Sequence, residues 1–279
     1  MFIETFSTHW QHRLDEQHGC LDSNTQLYLL LDGVFVPDIY RAVQLALGGR
    51  SVSLLFERLP SCSDATRAVS PFLLPYRPAS AQLARVLSRC SGWPMVSAIE
   101  TGESIEDLTA RLAAWCIVEN DGQRFNFRYP DTRRLPGLWA ALTPLQRGTL
   151  AGPASNWCYM DRDGTWQALT LPPDPHPIAD RPQLDEQQFA IMVADSEADE
   201  ILALLQSRRR LPDIKPSQQH ALVHNALRLA SRDQLGIESY PEWCDFFLQK
   251  GLRMDDSEGA VMLGAWMAAE TAALNAFDI

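Results

Sequence analysis

Between residues 26 and 171 the apolar positions alternate between two rhythms, short unbroken runs and longer stretches of helical spacing. "QLYLLLDG" (26–33) is an apolar run closed by Asp32-Gly33, the pattern of a buried strand, and "DIYRAVQLAL" after Pro37 carries a helix to Gly48-Gly49. "SVSLLFE" (51–57) predicts a second strand, and "SPFLLPY" (70–76) a third, whose prolines suit a sheet margin. "SAQLARVLSRC" (80–90) has the spacing of an amphipathic helix closed by Gly92, and "PMVSAIET" that of a strand. "SIEDLTARLAAWCIV" opens with Ser104 three residues before Asp107, close to a capping box, and aligns Ile105, Leu108 and Leu112 on one helical face. "QRFNFRYP" follows an Asp121-Gly122 reversal as an alternating strand, with Phe125, Phe127 and Tyr129 on one face and Asn126 and Arg128 on the other. "RLPGLWAALTP" reads as a short helix, and "ASNWCYMDRDGTWQALTL" as a hairpin turning at Asp163-Gly164.

Strands alternating with helices predict an α/β domain over 26–170, a mixed sheet of about five to seven strands flanked by helices. Residues 1–25 form a leader, with Trp10 and Leu14 on the packed face of a helix. The stretch 171–183, "LPPDPHPIADRPQ", holds five prolines and reads as a semi-rigid connector. Beyond it, 184–208, 217–235, 240–250 and 256–276 are helical in pattern, with Gly236 and Gly251 at helix ends, so 184–279 is expected to be a small all-α lobe.

Charge sharpens this division. The net charge is −11, and residues 180–279 hold 17 acids against 9 bases. An acidic surface repels phosphate backbones, so nucleic acid is not an expected partner. Apolar runs such as "LYLLLDGVFV" are too short for a bilayer, and "MFIETFSTHWQHRLDEQHGC" lacks the architecture of a signal peptide, which points away from a membrane and towards the cytoplasm. The six cysteines form no CxxC pair and suit reduced thiols.

Candidate chemistry is sparse. His9, His12, His18 and Cys20 cluster without the regular pairing of a structural zinc site, and His220 and His224 enclose "ALV" where a zinc protease needs a glutamate. There is no GxSxG, GxxxxGK[ST] or GxGxxG. No metal or cofactor is expected. Asp32 and Asp131, both at strand ends with Arg128 nearby, form the one carboxylate pair worth weighing, either as acid and base beside an anion clamp or as ion-paired corners. Trp139, Trp157, Trp166, Trp243 and Trp266, with 22 arginines against 2 lysines, favour contacts with other proteins.

The order of segments carries more than any one of them. "YLLLDG" with Asp32, "SLLFE" with Phe56, "SPFLLPY" with Pro71 and Phe72, a helix and "GW", "SIEDLTARLAAWCIV", "FNFRYPDTRRL", "LAGPASNW" with Gly152, Pro153 and Trp157, and a late "GTW" resemble the type VI secretion effector-adaptor family over about residues 26–170. The family's Tyr-Asp-Pro is here Tyr129-Pro130-Asp131, with an arginine still following the aspartate. The resemblance implies a bacterial, non-enzymatic chaperone that binds a toxin effector and loads it onto the VgrG spike, with the C-terminal lobe as the variable part. On this reading Arg128 and Asp32 or Asp131 lock the sheet edge, and Arg128, Asp131, Arg133, Arg134 and Trp139 offer a docking rim. The alternatives are an immunity protein that neutralises a toxin, and a hydrolase or transferase using Asp32, Arg128 and Asp131.

Overall fold

A computed structural model describes residues 3–48, 52–59, 62–78, 81–175, 181–250 and 256–277. Gly49, Gly251 and the middle of the proline-rich stretch lie outside them. The chain forms two compact units, Met1–Val193 and Ala194–Ile279.

The first unit contains β1 (Gln26–Leu31), β2 (Ser53–Leu54), β3 (Phe72–Pro75), β4 (Val96–Thr101), β5 (Ile117–Asn120), β6 (Gln123–Asn126), β7 (Ala154–Met160) and β8 (Trp166–Ala168). Six strands make one sheet in the order β2-β3-β1-β4-β7-β8, and β5 and β6 form a separate hairpin. All of these ladders are antiparallel. The helices are α1 (Trp10–Gly19), α2 (Ile39–Ala46), α3 (Asp64–Ala68), α4 (Ala81–Leu87), α5 (Ile105–Ala114), α6 (Leu135–Ala141) and α7 (Pro144–Ala151).

Because side chains alternate along a strand, the apolar run of β1 can fill two layers at once. Leu27, Leu29 and Leu31 join Trp10 and Leu14 of α1, Val43 of α2 and Leu83 and Leu87 of α4. Tyr28 and Leu30 join Leu108 and Leu112 of α5, Leu138 and Trp139 of α6, Leu150 of α7 and Trp157 of β7. Each fully buried leucine contributes about 1.5–3 kcal/mol, so the central strand is anchored from both sides.

Three local departures from the sequence expectation have visible causes. Among the described residues of 51–57, only Ser53–Leu54 pair as strand, and the chain then winds into a 3-10 turn, Leu55–Arg58, where Ser70 Oγ accepts the Phe56 N–H at 3.0 Å. The strand expected through Tyr129 ends at Asn126, where Tyr129 N–H turns back onto the Phe127 carbonyl at 2.9 Å. The aromatic face survives this: Phe127 and Tyr129 are buried in the second layer, and Phe125 packs against it. Thirdly, "TPLQ" begins a helix of its own, α7, through a full capping box between Thr143 and Gln146. Thr143→Ala is expected to cost about 1 kcal/mol in urea unfolding; an unchanged midpoint would show that the cap is idle.

The proline-rich stretch returns to the first unit at both described ends. Leu171 packs on the second layer, and the Pro182 carbonyl accepts the Glu119 N–H at 3.0 Å. The boundary at Val193/Ala194 therefore falls inside the next helix, α8 (Glu186–Ser207). With α9 (Pro216–Arg232), α10 (Tyr240–Lys250) and α11 (Asp256–Phe277) it completes the helical region. The second unit has its own core, in which buried Trp243 donates its indole N–H to the Ala226 carbonyl at 2.8 Å. Among the described residues no helix is long and apolar enough to cross a membrane.

Candidate functional site

The residues singled out from the sequence meet where β1 ends. Gly33 passes so close to the loop before β3 that a Cβ there would lie 2.5 Å from the Ser70 carbonyl oxygen. This fixes Asp32, whose N–H donates to the Met95 carbonyl at 3.0 Å, with its carboxylate turned inward. Asp32 is 2% exposed. Its Oδ2 accepts from Arg128 Nη2 at 3.1 Å and its Oδ1 from the Val34 N–H at 3.2 Å. Burial nevertheless dominates and pushes the carboxyl up to about 6, against the pull of Arg128 and the Val34 N–H and with a smaller push from Asp131.

Asp131 makes a separate pair. Arg133 grips it through Nε at 3.0 Å and Nη2 at 2.7 Å, and the Arg133 N–H adds a third bond at 3.1 Å. The Asp131 carbonyl meanwhile accepts from the Arg134 and Leu135 N–H groups and so starts α6, while Thr132 N–H ties the turn to the Pro94 carbonyl. The guanidinium groups of Arg128 and Arg133 both stand over the Phe35 ring, 6.0 and 5.6 Å from its centre. Each carboxylate thus has its own arginine, which is the geometry of a lock rather than of a shared proton.

Beside the first pair lies a cleft of about 70 Å³ lined by Asp32, Val34, Phe56, Val69, Pro71, Cys116, Asn126, Phe127, Arg128 and Pro130. Sites for small substrates usually run to about 300–1,000 Å³. Cys116 offers no nucleophile at its wall, since burial pushes the thiol up to about 12.

The docking rim needs correction at two positions. Trp139 is 6% exposed and packs 6.3 Å from Trp157, because it falls on the face of α6 that covers the sheet. Arg133 turns its guanidinium inward onto Asp131, leaving only 11% of its side chain exposed. Arg134 is half-buried and Arg128 remains substantially open. Phe56 and Pro71 line the cleft, while Phe72 lies in the opposite layer and Trp157 is wholly buried.

Gly152 belongs to another constellation that residue types alone did not reveal. Arg111 of α5 holds Glu103 with two nitrogens and caps α7 through the Leu150 carbonyl with the third. It lies flat against Gly152, which has φ 55° and ψ −143°. The positive φ required there is the signal in "LAGP". Elsewhere, His220 and His224 stack 6.0 Å apart, and among the described residues no three His, Cys, Asp or Glu side chains are arranged to hold a metal.

Comparison with known proteins adds a partial family match. Residues 27–149 match the family described as a domain of unknown function, DUF4123. The DUF4123 match runs from β1 into α7, so it contains both aspartate–arginine pairs and every residue of the cleft and stops just short of Gly152. The chain is also 30% identical over 128 residues to the electron transfer flavoprotein subunit beta of Chromohalobacter salexigens, covering 42% of this chain and 48% of that protein. It therefore spans about half the length of that relative. No solved structure matches the chain.

Proposed function

We propose that this chain is a non-enzymatic adaptor of type VI secretion, one that binds a toxin effector and loads it onto the VgrG spike. The observation that carries the reading is coincidence of span. The DUF4123 match covers 27–149, and the segment order that resembles the effector adaptors covers about 26–170. The site supports it as well. Asp32 and Asp131 are each engaged by an arginine, and the cleft is small for a substrate. A carrier of this kind works by covering cargo surface and handing it on by mass action to the spike.

One observation favours an enzyme as the second reading: a carboxyl pushed to about 6 beside a cleft is a familiar mark of a general acid or base. A delivery assay separates the two. Removing this chain from its bacterium is expected to stop delivery of the neighbouring toxin while the spike is still secreted, and Asp32→Asn is expected to restore delivery. Delivery that continues without the chain contradicts the adaptor. Failure of a stably folded Asp32→Asn protein to restore it favours the enzyme.

A further inference from the structure

Arg128 stands over the Phe35 ring but spends only one of its nitrogens on a hydrogen bond. Its Nη2 meets Asp32, and among the described residues nothing accepts from its Nε or Nη1, although the side chain is 43% exposed. The exposed Asn126 shares the same cleft, and among the described residues its side-chain amide is likewise unengaged. The rest of the lining is largely apolar, apart from Cys116 and the Asp32 carboxylate that Arg128 already holds. Val34 and Val69, 42% and 41% exposed, stand at the mouth, with half-buried Phe56 and buried Pro71 behind them. Donors for an anion and apolar side chains therefore share a space of about 70 Å³. A cavity of about 150 Å³ holds a benzene ring, so this one has room for the end of a single aliphatic side chain.

We propose that the notch captures the C-terminal residue of a partner protein, with its apolar side chain against Val34, Val69 and Phe56 and its terminal carboxylate on Arg128. Charge decides the sign of the guest. A cation entering the mouth meets the Arg128 guanidinium, whereas a carboxylate can accept from one open nitrogen, Nε or Nη1, together with the second hydrogen of Nη2. Size decides its form. A chain terminus carries its side chain and carboxylate on one Cα, so one residue can reach both the donors and the apolar residues of a cleft this small; an internal acidic segment would have to lay two residues across it. The inference rests on the reading of the chain as a carrier of other proteins, and it specifies how one of them is held.

The test titrates the isotope-labelled full chain, followed by amide chemical shifts, with three probes: acetyl-Ala-Ala-Leu bearing a free carboxylate, the same peptide as its C-terminal amide, and acetyl-leucine. The free acid is expected to shift Val34, Asn126 and Arg128 saturably, with the amide weaker by about tenfold or more, as loss of a charge-assisted contact implies. Val69→Asp, at a half-open position outside the core, is expected to abolish the shifts with an unchanged melting temperature, and Arg128→Gln to remove the preference for the acid. Equal binding of acid and amide, or no saturation, overturns the proposal. Acetyl-leucine binding as tightly as the peptide overturns it in favour of a free small carboxylate. Peptide binding without a delivery defect would sink the adaptor reading alone, and a delivery defect without peptide binding would sink the notch alone.

Discussion

Replacing Gly152 by alanine is expected to cost the fold about 3–5 kcal/mol, a large share of the roughly 5–15 kcal/mol that stabilises an ordinary domain. Two effects combine. At φ 55° and ψ −143° the backbone occupies a corner essentially reserved for glycine, which alone is worth about 1–3 kcal/mol. The new Cβ would also lie 2.7 Å from Arg111 Cζ, so the guanidinium must leave. Its departure leaves Glu103, 14% exposed in its side chain, with the Thr101 hydroxyl but no cation, and uncaps the Leu150 carbonyl. Gly122→Ala is the control. That glycine also has positive φ, 72°, but nothing lies within 4 Å of its Cβ position, so it should lose only about 1–2 kcal/mol. Urea unfolding of the two variants checks this, and equal losses would mean that the Arg111 contact contributes nothing.

The second large effect depends on pH. The folded state holds the Asp32 proton more tightly than the unfolded chain, because burial lifts the carboxyl to about 6 from an ordinary value near 3.9. A raised folded value means that the contribution is fully present below about pH 4 and is lost as the pH climbs through about 6. Two units correspond to a loss on the order of 3 kcal/mol. Asp32→Asn never ionises. It should therefore gain about that much on the natural chain between about pH 4 and about pH 7.5. Arg128→Ala should behave in the opposite sense. Without the guanidinium the carboxyl protonates rather than remaining charged, which limits the loss to about 2 kcal/mol near pH 7.5 and erases it near pH 5. Denaturant titrations at three pH values read all of this. A penalty for Arg128→Ala that does not change with pH would show that the arginine acts through its packing on Phe35 alone.

Much of this was legible in the chain. The unbroken apolar run of β1 and the Ser104 cap of α5 are local signals, and the structure honours both, with Ser104 Oγ accepting the Asp107 N–H at 3.1 Å. The sequence offers Arg128 two partners, Asp32 or Asp131, and the structure chooses Asp32, 96 positions away. What stayed hidden depended on choices among partners that local pattern does not make. An apolar run that reads as strand becomes a 3-10 turn bonded to Ser70, and nothing within residues 51–57 reports it. Trp139 looked available because aromatic residues serve cores and interfaces alike, and only its position on α6 assigns it to the core. Arg133 faced the same ambiguity, since the acid it follows by two residues turned out to be its own partner.

The adaptor account stands most directly on whether the intact chain holds its cargo and presents it. Size-exclusion chromatography with light scattering, on the purified full chain mixed with the neighbouring toxin and the VgrG spike, measures this. The account predicts a stable complex of chain and toxin and a ternary complex with the spike, with the toxin failing to join the spike when the chain is left out. A toxin that elutes apart from the chain, or that joins the spike equally well without it, would contradict the account.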